Sequence, residues 1–415
     1  MAQPDVLIIG AGLAGICCAR QLLKAGVNFR IIEASDAVGG RIRTDRVNGF
    51  LLDRGFQVLL TSYPEALENL DYERLGLASF DNGALVRYHG EFYRLVDPWR
   101  VRGHFIANLL NPIGSFADKL RIGKLRSHVL RTPLDKIMLA PETTTQQALA
   151  RRRFSRRITE RFFRPFLGGI FLDTKLSVSS RWFEYVFRMF AEGDAALPAN
   201  GMQAIPEQLA EPLPEGAILF NRRVESIDGT TVTLADGERL RAEKLVVAVE
   251  GPEAQRLLHF EKPVLSRECV CYYFAAKEPP VKEPLLVLSG STRGPINNLA
   301  VMDSVQPTYA PKGESLISVT VVGNPSRDES VLRKMVRGQL KRWFGLVVQE
   351  WRLVALYRIE HALPVVFPMD RNKPSRIRKD VYAAGDYLAT PYIQGAMESG
   401  RLAAEALIAD MKGPH

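Results

Sequence analysis

The chain is poor in the residues that build metal and dithiol chemistry. Its 415 residues include four cysteines and six histidines. The cysteines stand as Cys17-Cys18 and Cys269-x-Cys271, with no C-x-x-C and no histidine cluster beside them. That spacing argues against zinc, iron–sulfur and redox-disulfide sites, so no metal ligand is assigned. No apolar run reaches the roughly 18 residues that cross a bilayer, and no signal-peptide pattern precedes Asp5. Internal repeats and low-complexity tracts are also missing. The expectation is a cytoplasmic protein, with peripheral membrane association left open.

What is present describes a globular protein. Hydrophobic residues make up 46% and charged residues 24%, and the length is sufficient for two domains with a substantial core. The net charge of +9 is concentrated in one place. From Arg100 to Arg164 there are fifteen Lys/Arg against four Asp/Glu, a surplus of eleven that leaves the remainder near neutral.

Residues 5–44 organise the rest. Asp5 to Ile9 reads as a buried parallel strand, Leu13 to Ala25 has helical period, and Phe29 to Glu33 reads as a second strand. Between the first two, Gly10, Gly12 and Gly15 fall at G-x-G-x-x-G spacing. Gly10 makes the tight turn, Gly12 admits a pyrophosphate close to the backbone, and Gly15 lets helix and strand pack. The N–H groups at the helix start, from Leu13 and Ala14 onward, then hold the negative charge. Glu33, followed by Ala34, ends the second strand where a carboxylate accepts ribose hydroxyls and repels a 2′-phosphate. The pattern predicts a Rossmann-type dinucleotide site that disfavours NADP. Thioredoxin-reductase-like chemistry is disfavoured too, because it needs a C-x-x-C and a second fingerprint.

Gly39, Gly40 and Arg41 follow directly, giving E-x(5)-G-G-R from Glu33. The motif resembles that of the flavin-containing amine oxidase superfamily, which includes amine oxidases, protoporphyrinogen oxidase and phytoene-type desaturases. The resemblance implies that FAD, not NAD, is the cofactor, with Gly40 and Arg41 near the diphosphate. It also places Gly55 and Phe56, in the D-x-G of Asp53-Arg54-Gly55, beside the flavin ring; a plain hairpin turn is the competing reading. The segment ANGMQAIPEQ (199–208) resembles the family's return to the FAD domain, and VESI puts the backbone of Val224 against adenine.

The closing stretch DVYAAGDYLATPYIQGAMESGRLAAEAL is the second strong signal. It reads as a strand (Val381 to Ala384), Gly385-Asp386, a loop, and a helix from Ile393. Asp386 is placed to accept a hydrogen bond from a ribitol hydroxyl. The start of the helix, Ile393 and Ala396, would face the flavin pyrimidine with its positive end. The segment resembles the family's terminal G-D motif.

The fold class expected is α/β: a glutathione-reductase-like FAD-binding domain of the amine oxidase subclass, with a mixed α+β substrate domain. The FAD domain is assigned to 1–60, 200–262 and 356–415, and the substrate domain to 61–199 and 263–355. Within these, Pro64 to Leu75, Phe105 to Leu110, Phe116 to Leu130 and Thr143 to Leu149 read as helices. Phe80 to Leu95 reads as a hairpin and Ile218 to Val249 as a meander with Asp-Gly turns. Phe154, Ile158, Phe162 and Phe163 share one helix face opposite the arginines. GPINNLAVMDSV mixes polar and apolar residues in a way that suits a pocket wall.

Those arginines have three readings: a solvated helix face, a surface for anionic lipid, or a nucleic-acid surface. The last is set aside because the aromatics are not interleaved as stacking platforms.

Tyr392 aligns with one of two aromatic rings that flank the substrate in amine oxidases of the family. It is the candidate catalytic residue, with simple packing as its competing role. The second ring falls in His361-Ala362-Leu363-Pro364, where there is no aromatic and no cysteine to tether flavin, so the FAD is expected to be noncovalent. The lysine that positions water in many amine oxidases has no counterpart. These departures favour hydride removal from a hydrophobic, polyene or cyclic, substrate, with oxygen or a quinone as acceptor. A peroxide-producing amine oxidase and a flavin-binding protein without turnover remain the alternatives. Arg358, Glu360 and His361 read as a salt-linked strand end.

Overall fold

A computed structural model describes residues 4–96, 111–291, 293–365, 367–368 and 373–412. In chain order, the elements that position the site begin with β1 (Val6–Ile9), α1 (Leu13–Lys24) and β2 (Phe29–Ile32). The helices α2 (Phe116–Arg131), α3 (Arg164–Phe171) and α4 (Ser180–Glu192) follow. Then come β3 (Ser266–Ala276), α5 (Glu329–Phe344), β4 (Arg352–Pro364), β5 (Val381–Ala383) and α6 (Ile393–Lys412).

The first layer is a six-stranded sheet in the order 218–219, β2, β1, 244–247, β5, 376–378. All pairs are parallel except the last. A central parallel strand is covered on both faces, which is why β1 is apolar at every position. Val6 and Ile8 pack with α1 and α6, while Leu7 and Ile9 face the opposite cluster under the helix Gly251–Leu258. The helices α1 and α6 cross at a bare residue: a Cβ on Gly400 would lie 2.1 Å from the Ala14 carbonyl oxygen.

The second layer is a seven-stranded sheet in the order β4, β3, 315–322, 296–301, 286–289, 83–88, 91–96. Along β3, Val270, Tyr272 and Phe274 face α5, whereas Cys271, Tyr273 and Ala275 face inward. The inward set belongs to the same continuous core as Ile8 and α1, so the two layers share one interior.

The helices α2 to α4 cover the inner side. Ser155 caps a short helix that passes through a π turn (Thr159–Phe163) into α3. The extra residue of that turn brings Phe162 and Phe163 both onto the core-facing side. Phe163 contacts Phe183 of α4 and Phe162 stacks on Phe166.

Several expectations change. Pro64 to Leu75 is two helices, Pro64–Asn69 and Tyr72–Leu75, because the Asp71 carboxylate caps the second through the Arg74 N–H (3.1 Å). The turn of the first hairpin is at Asn48-Gly49, between 44–47 and 50–53. Asp53-Arg54-Gly55 is therefore not a hairpin turn, and Leu59–Leu60 pairs instead with Ala195–Leu197. The meander covers only 224–241; Ile218–Leu219 and Lys244–Val247 belong to the parallel sheet. Strand β4 stays in the seven-stranded sheet to Pro364, past the boundary expected at 355/356, because its pairing with β3 continues to Ser266. Asn297 and Asn298 are buried fasteners rather than an open wall: Asn297 donates to the Pro165 carbonyl (2.9 Å) and Asn298 to Thr320 (3.3 Å). The helix expected at Phe105 to Leu110 lies outside the described residues.

Candidate active site

β1 ends at Ile9, and Gly10 turns the chain at φ +102°, a conformation that favours glycine. A Cβ on Gly15 would sit 1.9 Å from the Gly10 carbonyl oxygen, so no larger residue allows this helix start. Gly12 is the opposite case, since a Cβ there would meet nothing within 4 Å. It begins α1 without a side-chain cap and with no acidic residue in the first turn. The first intrahelical bond runs from the Ile16 N–H to the Gly12 carbonyl (3.0 Å). The N–H groups of Leu13, Ala14 and Gly15 come before it and have no intrahelical acceptor. With the helix dipole, they make a cradle for an anion.

Two further segments close on this turn. Gly39 donates its N–H to the Ala11 carbonyl (2.9 Å), and a Cβ on Gly40 would come 3.4 Å from the Gly12 Cα. Glu33 accepts from the Ala11 N–H (2.7 Å), the Ser35 N–H (2.8 Å) and the Ser35 hydroxyl (2.7 Å). A carboxylate has roughly four acceptor positions, so Glu33 is held rigid with capacity left for a ligand hydroxyl. Ala34 beside it is exposed. Val224 begins the strand Val224–Asp228, is buried, and its carbonyl accepts from Arg256 (3.1 Å).

On the far side, Arg41 donates to Asp386 (2.7 Å) and to the Ala362 carbonyl (3.0 Å). Gly385 donates its N–H to the Ser399 hydroxyl (2.9 Å), which ties the strand end to α6. The first turn of α6 carries no acidic residue. Ile393 is buried there, and the Ala396 N–H bonds the Tyr392 carbonyl (3.0 Å). The Thr390 hydroxyl, packed against this turn, is buried with no hydrogen-bond partner among the described residues. Gly55, at φ +100°, lies against Ile359, and the Phe56 ring meets Phe80 edge-on at 6.1 Å.

Tyr392 precedes α6 at φ +131°. A side chain at that φ is strained, and it persists because the surroundings hold the ring. Its hydroxyl donates to the Ile170 carbonyl (2.5 Å), and its ring stacks on Trp182 at 5.0 Å. Among the described residues His361 makes no ion pair; it is bonded to the Ser266 hydroxyl (2.7 Å), and Arg358 donates to Asn324 (2.9 Å).

A family model described as flavin containing amine oxidoreductase matches residues 13–408. The chain belongs to the flavin-containing amine oxidoreductases. Membership implies FAD as cofactor and an oxidoreductase as the class of enzyme. The residues present fit that group: a bare anion cradle at Gly12, the Glu33 carboxylate with acceptor capacity left, and a buried hydroxyl at the start of α6 with no partner among the described residues. Among curated relatives, a Dictyostelium discoideum protein named "Probable flavin-containing monoamine oxidase A" is 25% identical over 280 residues, 61% of this chain and 59% of that protein. The coproporphyrinogen III oxidase of Propionibacterium freudenreichii subsp. freudenreichii is 26% identical over 177 residues, 40% of this chain and 31% of that one. The match thus spans less than two thirds of either relative. A solved structure of wild-type putrescine oxidase bound to putrescine superposes at a TM-score of 0.72 with 17% identity, covering 98% of this chain and 99% of that one. This last likeness shows the fold.

The side-chain contacts of two buried groups were not visible in the sequence. Asp53 is fully buried and accepts from the Thr44 hydroxyl (2.6 Å), the Met202 N–H (2.9 Å) and the Tyr309 hydroxyl (2.8 Å). Burial pushes its carboxyl up to about 6, against the pull of those donors. Trp182 is the other. Its helix had a visible signal, since Trp182, Val186 and Met189 fall on one buried face of α4.

Proposed function

We propose that this flavoenzyme removes hydride from a C–H bond of a small apolar substrate, polyene or cyclic, as desaturases and protoporphyrinogen oxidases do. The observation that carries the reading is at the end of β4. Where family amine oxidases place a second aromatic ring, the chain has His361-Ala362-Leu363-Pro364, and Tyr392 stands without a partner ring from that strand. FAD, when bound, supplies the two-electron acceptor, and oxygen or a quinone then takes the electrons. The residues of the chain hold and orient. The α1 start binds the diphosphate, Asp386 fixes a hydroxyl of the ribitol, and the α6 start favours negative charge on the ring. Tyr392 and Leu363 exclude water from the substrate side. Anaerobic bleaching of the flavin band tests the reading. Reduction by polyenes or cyclic tetrapyrrole precursors, and not by amines, is expected. Reduction by amines alone, with peroxide release in air, would make the chain an amine oxidase. Flavin that no substrate reduces and no acceptor reoxidises would leave a binding protein.

The basic helical segment gives such a substrate a source. Arg153, Arg156 and Arg157 are exposed at the start of the short helix Arg156–Ile158. Asp118 of α2 accepts from both the N–H (2.9 Å) and the hydroxyl (2.6 Å) of Ser155, so the two helix starts lie together. Phe116 and Leu120, one turn apart on α2, are 57% and 54% exposed beside them. Exposed apolar side chains beside an arginine-rich helix start suit the surface of an anionic bilayer. Flotation with phosphatidylserine vesicles is expected at low salt and lost in F116S/L120S; no flotation of the wild type removes the contact.

A further inference from the structure

Arg267 of β3 has no part in the reading above. It pairs in register with Leu363, inside the tetrapeptide that replaces the second aromatic. Its Nη1 lies 3.4 Å from Asp173 Oδ1, just beyond the end of α3. Asp173 is already engaged by its own turn: the Ser177 N–H (2.6 Å) and hydroxyl (2.7 Å) reach Oδ2, and the Lys175 N–H (3.0 Å) reaches Oδ1. The ion pair is single and long, whereas a guanidinium offers five donors in a planar fork. The Arg267 side chain is 20% exposed, so it is partly desolvated and still within reach of a ligand. Tyr392 is close enough for its hydroxyl to feel the Arg267 charge. The acidic groups facing this corner are Asp173, held by its turn, and Asp386, held by Arg41.

We propose that Arg267 is a substrate anchor that takes a carboxylate and disfavours a primary amine. The inference rests on the proposed placement of substrate between Tyr392 and Leu363, and it narrows the class to apolar molecules bearing a carboxylate. The planar fork matches a carboxylate in a two-bond geometry, and partial burial strengthens that contact. The same charge repels an ammonium group from the ground where an amine oxidase holds its substrate nitrogen.

Three ligands with one carbon skeleton test it on the FAD-loaded protein: 3-phenylpropionate, 3-phenylpropionamide and 3-phenylpropylamine. Binding is read from perturbation of the flavin absorption band and from calorimetry, with no turnover required. The acid is expected to bind about tenfold or more tighter than the amide, and the amine weakest. Arg267→Met should erase the advantage of the acid while FAD stays bound. Arg267→Lys should keep part of it, and this variant decides the matter if the methionine variant does not fold. Equal binding of the three ligands to yellow wild-type protein, or an advantage that survives in Arg267→Met, overturns the anchor and leaves the flavoenzyme reading intact. Wild-type protein that cannot be loaded with FAD overturns the flavoenzyme reading itself, and the anchor with it.

Discussion

Arg41 and Asp386 form a 2.7 Å ion pair across 345 residues of sequence, which joins the glycine-rich front of the chain to its closing motif. Asp386 is almost fully buried and Arg41 about one-third exposed, so the pair spans the edge of the protein interior. Asp386→Ala removes the charged acceptor of a partly buried guanidinium and leaves it only the Ala362 carbonyl. A loss of about 1–3 kcal/mol in folding stability is expected, together with a lowered affinity for FAD. Asp386→Asn should lose less of both. Thermal unfolding of the FAD-free protein and titration with FAD separate the two effects.

Gly12 and Gly15 should fail in different ways. Gly15→Ala drives a methyl into the Gly10 carbonyl and is expected to destabilise the fold even without cofactor. Gly12→Ala meets nothing in the protein and should fold normally, yet bind FAD at least tenfold more weakly because the methyl enters the diphosphate cradle. Comparing melting temperatures of the FAD-free proteins with their FAD affinities checks the contrast. An alanine at Gly12 that leaves FAD binding untouched would place the diphosphate elsewhere.

Asp53 predicts a pH dependence with a definite sign. Its carboxyl ordinarily titrates at 3.8 and is pushed up by burial to about 6 in the folded state. Between those values the folded protein binds the extra proton, so stability falls as pH rises from about 4 to about 6 and is flat above. The slope contributed in that window is at most about 1.4 kcal/mol per pH unit. Asp53→Asn should flatten it. Urea unfolding at intervals across the window measures the slope, and an unchanged slope in the asparagine variant would locate the titration at another group.

The Tyr392–Trp182 stack and the Tyr392–Ile170 bond can be weighed separately. Tyr392→Phe removes only the hydroxyl and should cost about 0.5–1.5 kcal/mol. Trp182→Ala removes a fully buried ring and should cost about 3–5 kcal/mol. If Tyr392 also lines the substrate space, the phenylalanine variant keeps substrate affinity while an alanine there loses it. Denaturant unfolding and ligand titration give the two readouts.

The parallel-sheet layer with the glycine turn was legible in the sequence because its signals are local. The turn at Gly10, the run Val6 to Ile9 and the helix from Ile393 each declare themselves within a dozen residues or so. The site's second wall did not, because its assembly depends on pairing between distant strands. Nothing near Arg267 announces Leu363 as its neighbour, and nothing near Asp53 announces Tyr309. The single helix expected over 64–75 failed for a local reason: Asp71 both ends one apolar period and caps the next. The extent of β4 was hidden because its half-buried residues lack the strict alternation that marks a strand with one wet face.

Tyr392 is fixed on both sides, to Ile170 and Trp182 of the helical cover and, through the main chain, to the first residue of α6. Lifting that cover as a lid would tear the ring from its stack and disturb the first turn of α6. On the proposed function, the substrate would therefore go round the cover and not under it, and a mutation that loosens the cover is expected to change how readily the coenzyme accepts electrons.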